Sequence, residues 1–298
     1  MLLTITTTHR PATDIGFLLA KNPARAQEFA LAFGKAHVFY PHASHDRCTA
    51  ALLLDIDSVG LTRRPARDGD IGLEPYVNDR PYVASSFMSV AIAQVFGSAL
   101  NGRSRERPEL AETAIPLEAT LSVVACVGGD RFLRALFEPL GSQVETKRHA
   151  LDAKFPAWGE GRHFTVTLRH ALRLHELLSH LYVLIPVLDD EKHYWVSDDE
   201  IEKLLRHGEG WLKSHPEREH IAHRYLRRQR SLTREAMERL LGSEEAEIEQ
   251  AEQQGGADEE SIEKRVSLNE LRLQAVADAL KAEGAARVID LGCGEGKH

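Results

Sequence analysis

The first eight residues, Met-Leu-Leu-Thr-Ile-Thr-Thr-Thr, alternate apolar and threonine positions, and that period of two predicts a strand. Arg10-Pro11 and Thr13-Asp14 punctuate the chain before a helix at about 14–20. A second helix is expected from Ala24 to Phe33, with Phe29, Ala30 and Phe33 on one face and Gly34 closing it. Strands at Ala36–Tyr40 and Cys48–Ile56 follow, joined by Pro41-His-Ala-Ser-His45. Prolines at 65, 75 and 81 and glycines at 60, 69 and 72 mark 60–81 as loop. Ser85 or Ser86 then caps an apolar helix, Phe87–Leu100, ended by Gly102. Leu117–Val127 reads as a strand, Gly128-Gly129 as a turn with Asp130 as the N-cap, and Arg131–Leu140 as a helix stopped by Gly141. Val144–Lys147 and His163–Leu168 are two more strands. The order of elements around Phe29–Ile56 is similar to that around Phe132–Leu168, down to Phe33-Gly34 beside Leu140-Gly141, and suggests an internal duplication.

From residue 170 the period changes. Leu174, Leu177, Leu178, Leu181, Ile185 and Leu188 keep helical spacing while apolar residues fill the other faces, so this helix is expected to be buried nearly all round. Ser197-Asp-Asp-Glu200 has the form of a capping box ahead of the stripe Ile201, Leu204, Leu205, Trp211 and Leu212. His215-Pro216 breaks the run before helices at about 217–229 and Thr233–Leu241. Gly242–Glu263 then holds nine acidic residues and no Lys or Arg, with two aliphatic side chains larger than Ala. Such a segment cannot bury enough apolar surface to offset its ordering entropy, and it reads as a linker. An amphipathic helix at 268–283 leads to a short strand at 287. The expected fold class is α+β: mixed, largely antiparallel sheet with covering helices over 1–168, a helical region over 169–242, an acidic linker at 243–263, and the start of a Rossmann-like domain at 264–298.

Composition narrows the function classes. With 43% apolar and 28% charged residues, the 298-residue chain can bury a sizeable core. Three scattered cysteines, Cys48, Cys126 and Cys293, make neither a disulfide framework nor a zinc set, and favour a reducing cytoplasm. The longest apolar run, Leu177–Leu188, is too short for the ~20 residues of a membrane span. A net charge of −8 argues against a dedicated nucleic-acid clamp, although a local patch can hide in it. One such patch runs from His223 to Arg239, with Arg224, Arg227, Arg228, Arg230, Arg234 and Arg239 against Glu235 and Glu238. Guanidinium forks suit phosphates and carboxylates, so RNA or an acidic protein face could be the target; an ordinary solvated helix face fits equally well. His175 and His180 lie five residues apart, about 140° round a helix, which is wrong for a shared metal. His42, His45, Asp46 and Cys48 read as a polar strand turn, and no nucleophile-base pair or paired catalytic carboxylates stand out before 242.

The last eleven residues carry the sharpest motif. Arg287-Val288-Ile289 leads through Asp290 into Gly292, Gly294 and Gly296, where glycine lets the backbone come close to a ligand. Asp-x-Gly-x-Gly-x-Gly resembles the first motif of the S-adenosylmethionine-dependent methyltransferases. The whole chain resembles the amino-terminal half of the bacterial HEN-type RNA 3′-terminal ribose 2′-O-methyltransferases. The stretches that carry this are Leu3–Thr8, Phe33–Pro41, Cys48–Asp55, Tyr76–Ser86, Leu178–Asp190 and Leu205–Leu212. The resemblance implies that Asp290, Gly292, Gly294 and Gly296 are part of a cofactor loop. It also implies that the full-length family uses S-adenosylmethionine and manganese, whereas this chain, ending two residues after Gly296, is expected to hold no cofactor or metal and to be no enzyme itself. Residues 1–242 are then expected to bind and activate the ligase of the bacterial polynucleotide kinase-phosphatase-ligase, acting on cleaved RNA such as tRNA. An RNA-presenting module for the methyltransferase is the alternative.

Overall fold

The computed structural model describes residues 1–57, 84–152, 154–189, 198–226 and 230–241. The predicted loop at 60–81, the capping-box Ser197, the acidic segment 243–263 and all of 264–298 lie outside the described residues. Seven strands form one sheet: β1 (Leu2–Thr7), β2 (Gln27–Leu31), β3 (Gly34–Ala43), β4 (Cys48–Ile56), β5 (Ile115–Ala125), β6 (Gln143–Ala150) and β7 (Glu160–Leu172). Their order is β2-β3-β4-β1-β5-β7-β6, and every pairing is antiparallel. The helices are α1 (Ile15–Leu18), α2 (Ala84–Val95), α3 (Gly97–Leu100), α4 (Pro108–Ala111), α5 (Gly129–Phe137), α6 (Leu174–Asp189), α7 (Asp198–Gly208), α8 (Arg218–Tyr225) and α9 (Arg230–Leu241). The α+β class and the change from strands to helices near 170 match the sequence reading. No described helix is long and apolar enough to cross a membrane.

Period-two alternation gives the sheet two unlike faces. Leu3, Ile5 and Thr7 of β1 pair with Leu52, Ala50 and Cys48 of β4 on one side and with Leu121, Ala119 and Leu117 of β5 on the other, and all of them are buried. Val166 and Leu168 of β7 continue this core face. Helix α6 lies on it, packed also against α2, α3, α7 and α8, and Leu178, Leu181, Val183, Leu184, Ile185, Val187 and Leu188 are inaccessible to solvent. The expectation of all-round burial holds. At its start the Glu176 carboxylate accepts the Arg173 backbone N–H at 2.9 Å and pairs with the Arg173 guanidinium at 2.7 Å, closing the first turn.

Three local expectations are corrected. Residues 24–33 do not form a helix: Asn22 closes a turn by accepting the Ala24 N–H, and Gln27–Leu31 enters the sheet as β2. Its true period is two, with Phe29 and Leu31 packed against the core and Glu28 and Ala30 outside. Asp130 is not the cap of α5; Gly128 holds that position at φ +112°, and Asp130 sits in the first turn, paired with Arg134 at 2.9 Å and accepting the Thr146 hydroxyl. Those two hydrogen bonds hold its carboxyl below the usual range, the Thr146 bond contributing most. The apolar helix of 87–100 is broken at Phe96 into α2 and α3.

Gly34 begins β3 with φ +143°, and a Cβ there would run into the Asp55 carbonyl oxygen across the β3–β4 ladder. Gly34→Ala is therefore expected to lower unfolding stability by about 2 kcal/mol, combining the left-handed backbone penalty with the clash. Gly97→Ala, at a helical position with open space around it, should be neutral or stabilising by roughly 0.5–1 kcal/mol. Urea midpoints for the two variants check this, and equal effects would refute it.

Candidate interaction surface

The face of the sheet opposite α6 is built of other chemistry. Across its centre, Thr4 of β1 stands beside Thr120 of β5, Thr6 bonds Thr49 of β4 at 2.9 Å, and Thr120 bonds Thr167 of β7 at 3.2 Å. Toward the β6 edge, Glu118 accepts Arg47 at 3.3 Å and Arg169 at 2.7 Å, and Arg169 reaches Glu145 at 2.8 Å. Charges of alternating sign thus run from the start of β4 to β6. They border a groove of about 330 Å³ lined by Thr6, Thr8, Pro116, Gln143, His170 and Ala171 among others. At the other end Leu53, exposed, stands beside Leu2 of β1 and His37 of β3.

The helical half encloses a cluster of neutral histidines. Trp211 donates its indole N–H to the His207 carbonyl at 2.8 Å and meets His180 edge-on at 5.1 Å and His215 at 5.8 Å. The Nε2 of His215 lies 3.0 Å from the Leu136 carbonyl, while its Nδ1 accepts the Glu217 N–H at 3.0 Å. Both bonds suit the Nε2–H tautomer, and burial lowers the pKa of this ring below the ordinary imidazole value. Burial likewise pushes His180 and His207 down to about 4. The stretch Leu205–Leu212 therefore supplies packing: a Cβ on Gly208 would fall 2.8 Å from a Leu212 methyl and displace that buried side chain. A second buried contact joins the stretches Tyr76–Ser86 and Leu178–Asp190, for the Ser85 hydroxyl donates to the Asp189 carboxylate at the end of α6.

The structure places the sequence-predicted residues unevenly. Arg224 is turned inward on α8, donating to the carbonyls of Val127 at 2.9 Å and Val187 at 3.2 Å with its guanidinium 4.2 Å from the Phe132 ring centroid. Arg239 pairs with Glu202 at 2.6 Å. Arg234 is exposed on α9; Arg230 opens that helix, its side chain undescribed; Arg227 and Arg228 lie outside the described residues. Asp290, Gly292, Gly294 and Gly296 also lie outside them. His45 pairs with Asp46 and Cys48 faces the core, and among the described residues no group of three His, Cys, Asp or Glu side chains is placed to hold a metal. Sequence reasoning missed the exposed aromatics Phe155 and Trp158, whose signal was two large rings in a Gly- and Pro-containing turn between strands.

Such a molecule, a seven-stranded antiparallel sheet with described helices packed on one face, is an α+β domain. Its family is specific: a family model described as the RNA repair, ligase-Pnkp-associating, region of Hen1 matches residues 1–241, and the chain belongs to that family. Two solved structures are similar. One, "Structure of the Pnkp1/Rnl/Hen1 RNA repair complex", shows 13% identity and a TM-score of 0.44, covering 70% of this chain and 47% of that one. The other, "Structure of Pnkp1/Rnl/Hen1 complex", shows 14% identity and a TM-score of 0.42 with the same coverage. The chain thus spans about half the length of the structures it matches. No curated protein matches it.

Two predictions follow from this geometry. Arg224→Ala removes two hydrogen bonds to carbonyls and the stacking on Phe132, and should destabilise the fold by about 1–2 kcal/mol at both low and high salt. A stability unchanged from wild type in thermal unfolding at two salt concentrations would place Arg224 outside the fold's support. The histidines set the acid limit. Their folded values lie below the ordinary 6.5, so the stabilisation from keeping them neutral is complete above pH 6.5 and is lost as pH falls toward about 4. Unfolding free energy should drop across that window by up to about 1.4 kcal/mol per pH unit for each ring that titrates. A flat profile from pH 7 to 4.5 would refute it.

Proposed function

We propose that this chain binds the ligase of a bacterial kinase-phosphatase-ligase RNA-repair enzyme and raises its activity on cleaved RNA. The observation that carries the reading is the match to the ligase-Pnkp-associating region over residues 1–241, which takes in the whole sheet and all the described helices. Activation requires the chain to bind the competent arrangement of the ligase better than the incompetent one. The alternative, an RNA-presenting arginine face, has less support, because Arg224 and Arg239 are engaged within the chain.

The same reading extends to the longer protein of which the family's amino-terminal region is a part. There, S-adenosylmethionine would sit against the loop of Asp290, Gly292, Gly294 and Gly296, and a manganese-dependent methyl transfer would modify the terminal ribose at the break. Sealing and methylation would then act on the same RNA end.

Sealing of a nicked RNA by the partner ligase, with ligase adenylation followed separately, tests the proposal. The chain should raise adenylation and sealing by about tenfold, the effect of a coupling free energy near 1.4 kcal/mol. A complex without faster adenylation would reduce the role to tethering. Absence of a complex at micromolar concentration would end the reading.

A further inference from the structure

Among the described residues, three of the most exposed large apolar side chains sit in one hairpin tip between β6 and β7: Leu151 and Trp158 are each 62% exposed and Phe155 is 51% exposed. The Leu151 N–H donates to the Gly159 carbonyl at 3.1 Å, closing the tip at its base. Inside it Pro156–Trp158 makes one tight turn, with the Trp158 N–H on the Phe155 carbonyl and the Gly159 N–H on the Pro156 carbonyl, both at 3.0 Å. Gly159 leaves the turn at φ +79°, ψ −157°, a conformation essentially reserved for glycine. The Asp152 carboxylate accepts the Lys154 N–H at 2.6 Å. The two rings stack on each other, centroids 4.8 Å apart and 16° from parallel. This apolar group is therefore held in place before any partner arrives.

We infer that the tip is the anchor by which the chain docks into an apolar pocket with an acidic rim on its protein partner. The inference rests on the ligase-binding reading above and names its contact. Ordered aromatic side chains that remain in water are the usual centres of binding energy, because they bury large area at little cost in side-chain freedom. Charge gives the rim its sign. Residues 147–163 carry Lys147, Arg148, Lys154 and Arg162 against Asp152 and Glu160, in a chain whose net charge is −8. A basic tip on an acidic molecule selects a negative partner surface.

The details favour protein over RNA as the occupant. Leu151 offers no ring for a base to stack on, and Phe155 and Trp158 already cover one face of each other. Arg148, the cation nearest in sequence to Leu151 on the β6 side, is already engaged: it donates to the Gly161 carbonyl at 2.7 Å, pairs with Glu160 at 3.3 Å and lies 5.6 Å from the Phe164 ring centroid.

Calorimetric titration of the ligase into the full chain, Trp158→Ala and Phe155→Ala/Trp158→Ala tests this. The three side chains are exposed, so all variants should keep the wild-type thermal midpoint. Trp158→Ala should raise Kd by about tenfold or more, and the double variant further. Wild-type binding with an unchanged Kd for the double variant overturns the inference while leaving the ligase reading intact. No binding by the wild type ends both. A double variant that keeps its ligase affinity but loses the mobility shift of a single-stranded RNA oligonucleotide overturns the protein pocket in favour of RNA.

Discussion

Burial of α6 on every side is the constraint that the remaining architecture serves. A helix with Leu, Val and Ile around its whole circumference has no face for water, so it needs a layer on each side. The sheet is one layer, α2 and α3 another, and α7 and α8 the third. The few polar groups on this helix are met one by one: Ser89 donates to the Tyr182 carbonyl at 2.9 Å, Ser85 to Asp189, and His180 rests against Trp211. A slip of α6 along its neighbours would break these contacts together, because buried polar groups cannot fall back on water. The helical half is therefore the lid of the sheet's own core and has no independent centre.

The sheet itself is built twice. β1, α1, β3 and β4 give the strand order β1-β4-β3, and β5, α5, β6 and β7 give β5-β7-β6, with β1 and β5 antiparallel at the centre. Each third element begins at or just after a glycine with positive φ, Gly34 at +143° and Gly141 at +84°. The repeat is visible in connectivity and in that turn, while β2 belongs to the first copy alone. Two such units share one continuous core face because β1 and β5 match Leu3 with Leu121, Ile5 with Ala119 and Thr7 with Leu117.

Periodicity makes most of this architecture legible in the sequence. The alternation of Leu3, Ile5 and Thr7 identified β1, and the short apolar run within Cys48–Ile56 read as β4. Helix α6 was legible as buried because its apolar residues exceed one face. The reading failed at Gln27–Leu31, where Phe29, Ala30 and Phe33 suit a helical face as well as a strand; pairing with β3, a tertiary fact, decides between them. The repeat was legible in order but attached to the wrong helix for the same reason. Function was less accessible. The arginines after His223 were conspicuous by charge, yet Arg224 serves the fold by bridging α8 to the carbonyl ends of Val127 and Val187, which spacing along one helix cannot reveal.

The polar sheet face and the hairpin tip differ in what association would cost. Along Arg47, Glu118, Arg169 and Glu145 each charge already has a partner in contact with water, a state that contributes little to stability. A protein laid over that ladder would have to strip its hydration while offering charges that are already matched nothing new, which is unfavourable unless fresh hydrogen bonds replace the lost water. Threonine pairs such as Thr6 with Thr49 and Thr120 with Thr167 satisfy each other in the same way. At the tip the balance reverses. Leu151, Phe155 and Trp158 lose only unfavourable contact with water on burial, and the backbone that carries them is already closed by its own hydrogen bonds. Affinity is thus drawn to the tip, and the matched polar face is left to set orientation and to penalise a wrong partner.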